Sequence, residues 1–499
     1  MTAKNLLSFF CLFVAVNSSA CAFGQGEATR ARRAGSTSAT TITVKSGGKL
    51  QRALDEAKPG DEVVLDAGGT YQGNFTLPVK SGDAFITVRS SRCAELPAGE
   101  RVSPAQANLM ARLATPNVSP VLLASPGSHH WRFQCLEFTQ GPNFEGQGYN
   151  LIQLGDDTQK TLEAVPHHLE FDRVIVRARD DKTAVQRGIT LNSAHTSITN
   201  SHVSGIKWAG VETQAVGGWN GPGPFEIVNN YLEASGINVL FGGAKPGIQG
   251  LIPSDITIKN NHLFKPLSWR QGDPSFAGTA WTVKNLLELK NARRVEISDN
   301  LMENNWPHAQ VGWAVIFNTF RDGGWEVIED VQFVRNHIRN STNGINLRGI
   351  DTGDKALRMR RITISDNVME GLGAFGQEGK PFQLLSGSEN VTIDHNTVSG
   401  AVTHMMTIEA SSGFPHRGLV YTNNLQPHGS YGIFGDGGLL GVDALKRWAV
   451  DFKLAKNAIT GTPPDVRSKY PGNYFPENSN AAARLSGTDN SPVGARKKL

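Results

Sequence analysis

Glu288-Leu289-Lys290 sets an acid and a base two positions apart within NLLELKN, a stretch that reads as a β-strand. Alternate side chains of a strand share a face, so Leu287 and Leu289 turn inward and Glu288 and Lys290 turn outward together. Asn192, Asn318, Arg348, Asp351, Ser386, Glu409 and Asp436 occupy comparable outward positions in other strand-like stretches. Mixed acids, bases and amides on one face can bind the hydroxyls and carboxylates of a sugar; they also suit a soluble sheet surface, where an exposed ion pair has little energetic value. Tryptophan adds to the sugar reading. Seven of the nine fall between residues 208 and 325, with Trp269, Trp306, Trp313 and Trp325 among them. An indole offers a flat apolar face for a sugar ring, or simply packs a loop. Metal chemistry is not expected. His129-His130 and His167-His168 lack the paired cysteines or helical spacing of a zinc site, and Asp156-Asp157 and Asp180-Asp181 lack a full set of calcium ligands.

The elements that must position these residues are written as a repeat. The phrase apolar-x-apolar-x-x-Asn ends at Asn230, Asn261, Asn300, Asn336, Asn367, Asn396, Asn424 and Asn457. Each copy alternates apolar and polar residues, as a strand with one buried face should. The Asn falls where the strand must turn; it tolerates a left-handed backbone, and stacked copies can form an amide ladder. Spacings near thirty leave room for two more short strands per copy, visible as GITLNS, NLLELKN, AVIFNTF, GINLRGI, FQLLSGS, MMTIEAS and YGIFGDGG. One coil cannot bury its own apolar face, so the coils must stack into a parallel β-solenoid, an all-β fold. Leu50, Leu54 and Ala57 share a face of an amphipathic helix that would cap the open N-terminal end, and VDALKRWAVDF would cap the other.

ALDEAKPGDEVVLDAGGTY followed by FITVRSS, together with the Asn phrases, resembles the single-stranded right-handed parallel β-helix of the pectate-lyase-like superfamily, across residues 42–475. NLLELKNARRVEISDNLMENNW is similar to secreted bacterial β-helix repeat proteins of unassigned activity. The fold hosts lyases, hydrolases, epimerases and non-enzymes, so the chemistry has to be sought in the residues. The Gly-His-Gly of polygalacturonase-type hydrolases is missing. VTIDHN resembles the Trp-Ile-Asp-His strand of pectate lyases but is one more copy of the repeat, which makes Asp394 and His395 surface positions beside the ladder. Alginate- and chondroitin-type lyases place a Lys base in a strand and an Arg nearby. The base takes the proton α to a uronate carboxylate, while a cation or Ca²⁺ stabilises the enolate. The resemblance implies Lys290 as base beside Glu288, with Arg348 as acid or carboxylate neutraliser. Arg348 lies two coils away, roughly 10 Å at 4.8 Å per coil, and Arg321 is the alternative. Trp269, Trp306, Trp313, Trp325, Asn318 and Asp351 would form sugar subsites. A secreted protein that binds an acidic polysaccharide and cleaves it by β-elimination follows as the first expectation, a non-catalytic glycan-binding or surface protein as the second. No cofactor is implied apart from Ca²⁺.

Composition sets the outer limits. The 499 residues carry 19 % charged residues and a net charge of +4, with 54 Gly and 35 Asn. So few charges argue against disorder and coiled coil, and a weak net charge gives no reason to expect nucleic acid. Lys4, the apolar run of residues 6–16 and Ala20-Cys21-Ala22 read as a secretory signal over 1–22, with lipidation at Cys21 as the rival reading. A flexible lead-in over 23–41, a β-helix over 42–476 and a disordered tail over 477–499 complete the expected organisation of a monomer without a membrane span. Cys93 and Cys135 are left as a disulfide or as two buried thiols.

Overall fold

A computed structural model describes residues 39–496, except 320–321, 351–356, 377, 411–412, 483 and 490. The expected signal and most of the lead-in lie outside the described residues.

Each coil passes through three strands before climbing to the next. Asn285–Leu289 is followed by Ala292–Ser298 and Leu301–Asn305, and the chain re-enters the first sheet at Trp313–Asn318. Repetition builds sheet 1 (thirteen strands), sheet 2 (sixteen) and sheet 3 (thirteen). Among the described strands of these sheets pairing is parallel, except where Leu439–Leu440 turns back on Gly432–Gly435 and ends sheet 1. This is the expected right-handed parallel β-helix. Its interior is one continuous apolar column that includes Trp131, Phe171, Phe241, Phe317 and Ile393, stacked coil on coil. Both helical caps form. Leu50–Glu56 buries Leu50, Ala53 and Leu54, and Val442–Trp448 buries Ala444 and Leu445 against the last strands of sheet 1.

The turn from sheet 2 to sheet 3 holds the ladder. Asn336 shows the pattern: its Nδ2 donates to the Ile297 carbonyl at 2.8 Å and to Asn367 Oδ1 at 3.2 Å. Its Oδ1 accepts from the backbone and side-chain nitrogens of Asn300, at 3.1 and 2.9 Å. The same side-chain bond links every neighbouring pair from Asn230 to Asn457, and Asn473 adds a rung that no repeat phrase announces. The left-handed residue is not the ladder Asn but the one before it: Asn229, Asn260, Asp299, Arg335, Asp366, His395, Asn423 and Lys456 all have φ between 52° and 61°. Arg, His and Lys hold a conformation that disfavours them because the Asn that follows fixes the turn.

Cys93 and Cys135 are bridged, with Cα atoms 5.4 Å apart. The bridge ties the insertion 91–110 to the ladder corner. Val102 N–H donates to the Asn200 carbonyl, and Arg101 reaches the carbonyls of Asn229 and Asn260. The C-terminal segment, expected to be disordered over 477–499, does the same from the opposite end where it is described. Gly494 N–H donates to the Asn423 carbonyl, and Arg496 pairs with Asp366. His395, expected at the surface, is therefore 1 % exposed: its Nδ1 meets Asp394 at 2.6 Å and its Nε2 meets Ser491 Oγ at 2.7 Å. Alternating polarity could not announce this, because the covering residues come from a stretch without period.

Asn336→Ala orphans buried groups on both neighbouring coils and should cost about 2–4 kcal/mol, whereas Asn473→Ala at the ladder's end should cost about 1 kcal/mol. Chemical denaturation of the two variants checks the difference.

Candidate functional site

The turn between sheets 2 and 3 is two residues long in most coils, so the uneven repeat spacing is taken up on the two sides of sheet 1. Residues 265–284, 306–312 and 373–381 lead into it, and 242–253, 319–327 and 349–359 lead out. Sheet 1 is thus the face that the longer connections enter and leave.

Lys290 and Arg348 both belong to that face. Register pairs Glu288 with Ile316 and then Asn346, and the row after it runs Asn318, Arg348, Leu385, with Lys290 one step beyond the Leu289–Phe317 pair. Lys290, Asn318 and Arg348 therefore stand on three successive strands, roughly 10 Å from first to last. Leu287 and Leu289 point into the core, as expected. Glu288 departs from expectation: it leaves the core but is only 2 % exposed, with Lys290 Nζ 3.4 Å from its Oε1. Burial pushes its carboxyl up, against the pull of the Lys290 and Lys284 ammoniums. The Lys290 stem lies along Gly243, where a Cβ would stand 3.2 Å from Cδ. Among the described residues, Glu288 Oε2, Asn318 Oδ1 and Arg348 Nε are buried without a hydrogen-bond partner. All three residues lie on the outward face of sheet 1, and each of these atoms is short of a bond. Arg321 and Asp351 lie outside the described residues.

The tryptophans divide differently. Trp269, Trp281 and Trp306 pack with Val283 into an apolar cluster and are 4–9 % exposed. Trp269 also borders a separate hollow of about 490 Å³ on sheet 3, with Lys207, Tyr231 and Glu233. Trp313 is a buried strand residue in line with Val315 and Phe317. The stacking role expected of Trp269, Trp306 and Trp313 is thus corrected to packing: an indole bent over a loop's own apolar residues buries more surface than one held open in water. Trp325 is half-buried and fastens its loop through Nε1–H to the Leu251 carbonyl at 3.0 Å.

The sugar-sized hollow on sheet 1 lies further along the same face. About 390 Å³ is bounded by Lys380, Gln383, His404, Tyr431, Glu409 and Asp436, among others. Leu385 follows Arg348 in register and forms part of the wall, so the hollow opens directly beyond the Lys290–Arg348 row. Its exposed aromatic is a tyrosine: Tyr431, 46 % exposed, stacks on His404 with ring centroids 4.8 Å apart. Burial, with Lys380 adding to it and Glu378 opposing, pushes the His404 imidazole down to about 4, so it is neutral at pH 7. Glu409 and Asp436 were legible as outward strand positions. Lys380, His404 and Tyr431 were not, because they sit at strand entries, where a run of two or three residues carries no alternation.

The fold has known counterparts. AlyGC, a PL6 family alginate lyase, superposes with a TM-score of 0.52 at 15 % identity, over 91 % of this chain and 57 % of that one. An alginate lyase from Paenibacillus sp. str. FPU-7 matches at TM-score 0.36 and 14 % identity, over 72 % of this chain and 94 % of that one. The surface protein and adhesin PfbA of Streptococcus pneumoniae matches at 0.43 and 11 %, over 85 % and 92 %. No family profile and no curated sequence matches the chain. The chain shares the parallel β-helix fold of AlyGC and covers 57 % of that protein's length. Likeness at these identities is a likeness of fold. Among the described residues no helix is long and apolar enough to cross a membrane.

Glu288→Gln tests the buried acid. A carboxyl whose folded pKa lies above its unfolded value of about 4.3 binds more protons in the folded state between the two, so stability falls as pH rises through that interval. The melting temperature of Glu288→Gln relative to wild type should therefore be higher at pH 7 than at pH 4.

Proposed function

We propose that the outward face of sheet 1 binds an acidic polysaccharide laid along the solenoid axis, and that the Lys290–Asn318–Arg348 row is the place of β-elimination. One observation carries the reading: two cations and an amide stand in a single lateral row that leads into a hollow holding Lys380, Gln383 and an exposed tyrosine. Arg348 meets a uronate carboxylate with a planar fork, and Lys380, paired with Glu378 at 3.0 Å, stands one sugar or so further on. Tyr431 offers its ring to the apolar face of a sugar. In the elimination, a base removes the proton α to the carboxylate, the glycosidic oxygen leaves with a proton, and a 4,5-unsaturated end is formed. Ca²⁺ or Arg348 would stabilise the enolate on the carboxylate. An extracellular address, after removal of a signal over residues 1–22, agrees with such a substrate.

A second reading has its own support. Lys290 Nζ stands 3.4 Å from Glu288 Oε1, an ion-pair contact that ties the side chain down beside the strand. A protein that binds the polysaccharide without cutting it uses the same row as fixed charges.

Uronate polymers incubated with the protein, with and without Ca²⁺, should gain ultraviolet absorbance from unsaturated ends. Lys290→Ala and Arg348→Ala should each lower the rate by about 10²–10⁴. Absorbance that survives Lys290→Ala removes Lys290 as base. Retention on immobilised polymer without any product establishes the binding reading, in which case Arg348→Ala and Tyr431→Ala should still weaken retention.

A further inference from the structure

Sheet 3 carries two hollows of its own, on a different face from the Lys290–Arg348 row. Six successive strands build them: Thr70–Gln72, Ala111–Thr115, Leu136–Gln140, Ile175–Arg177, His202–Ile206 and Tyr231–Ala234. The five steps between them make roughly 24 Å along the solenoid. One hollow, about 450 Å³, belongs to the first four strands and is bordered by Arg112, Glu137 and Thr139. The other, about 490 Å³, follows it with Ser204, Lys207 and Glu233. Arg177 and Arg179 border both, so the two lie side by side. Each volume falls within the roughly 300–1,000 Å³ of ligand sites.

Most of the polar groups are held in place from within the protein. Glu137, 1 % exposed, accepts from Arg112 Nε at 2.8 Å and from Arg177 Nε at 2.7 Å. Arg179 Nε donates to Asp180 at 2.8 Å, and its Nη1 to the carbonyls of Gly141, Pro142 and Phe144. Glu233 takes the Gly205 N–H on one oxygen and the Tyr231 hydroxyl on the other, both at 2.8 Å. Groups fixed beforehand lose little freedom when a ligand arrives. Lys207 is left short. It is 2 % exposed, with its ammonium 5.5 Å from the Trp281 ring centre and 5.9 Å from that of Trp269. Among the described residues the ammonium's one hydrogen bond is to Asp181, at 3.5 Å. An ammonium has three donors, and a buried one short of acceptors gains from an oxygen that enters the hollow.

Charge selects the kind of oxygen. Arg112, Arg177, Arg179 and Lys207 are matched by Glu137, Asp180, Asp181 and Glu233, and each cation already has an acid within 3.5 Å. An arriving carboxylate would compete with an acid in place, whereas a sugar hydroxyl donates to the acid and accepts from the cation at once. Sheet 1 differs, since Arg348 Nε there is buried without a partner. We propose that the two hollows form a second carbohydrate site, which takes an uncharged glycan chain along sheet 3 and recognises it by its hydroxyls. Thr139 and Ser204 add hydroxyls of their own, and Pro266 and Trp269 add apolar surface at the Lys207 end. This site does not rest on the sheet 1 reading.

The test is biolayer interferometry of the full chain on immobilised galactomannan, arabinoxylan, mixed-linkage β-glucan and dextran, with polymannuronate and polygalacturonate beside them. At least one uncharged polymer should bind. Lys207→Met removes a charged donor and keeps its stem between the indoles, while Ser204→Tyr fills the hollow from an outward position. Each should weaken that binding about tenfold or more, with circular dichroism matching wild type. Arg348→Ala should leave it unchanged, and the two sheet 3 variants should leave the response to the uronate polymers as in wild type. No uncharged polymer bound, binding that either sheet 3 variant leaves unchanged, or binding lost in Arg348→Ala overturns the site. A uronate polymer released by Ser204→Tyr but kept by Arg348→Ala overturns the choice of an uncharged ligand. If Lys207→Met does not fold, Glu233→Gln takes its place with the same criteria.

Discussion

Everything in this protein hangs on one turn being the same in every coil. A parallel strand pair needs its partner at a fixed register, and a slip of a single residue would carry core residues to the surface. The asparagine ladder prevents that slip. Each amide satisfies the carbonyl of a strand in the coil before and receives the backbone N–H of its neighbour, so the ladder fixes pitch and register together. It also holds charged and bulky residues in a left-handed conformation at the same corner. The remaining two sides of the coil are then free to vary, because register has been set elsewhere.

That division of labour explains what could be read in advance. The ladder and the buried column are periodic, so eight asparagines and the alternating apolar residues disclosed the fold, the three strands per coil and the inward direction of Leu287 and Leu289. The same logic placed Lys290, Asn318 and Arg348 on one face. What failed to show was whatever lies outside the period. Trp269 and Trp306 stood in loops and could not announce whether they face solvent or one another. Glu288 was expected outside and proved buried, with Lys290 paired to it. His404 and Tyr431 needed the coil closed before they stood side by side.

Electrostatics follow the same geometry. A side chain on a solenoid meets its equivalents in the coils above and below, so any residue type repeated at one position becomes a column. Repeated asparagine gives a chain of amide–amide hydrogen bonds, repeated histidine gives stacked imidazole rings, and Lys290, Asn318 and Arg348 give a short row of cationic and amide groups. Mutual repulsion limits how long a charged column can be. Asn318 between the two cations, and Glu288 beneath one of them, keep this one tolerable.

The ladder corner is also where two irregular segments come to rest. One, tethered by Cys93–Cys135, runs from the N-terminal side over the turns of Asn200, Asn229 and Asn260; the other returns from the C-terminus over Asn423, His395 and Asp366. A stack of repeats held only by nearest neighbours can peel from either end, one coil at a time. Here a coil near the N-terminal end and the last coil at the other end are lashed to coils well inside them, so peeling from either side soon meets a tether. The second lashing follows the final coils along the chain and has nothing to grip until they are wound. It can seat only on a finished rod.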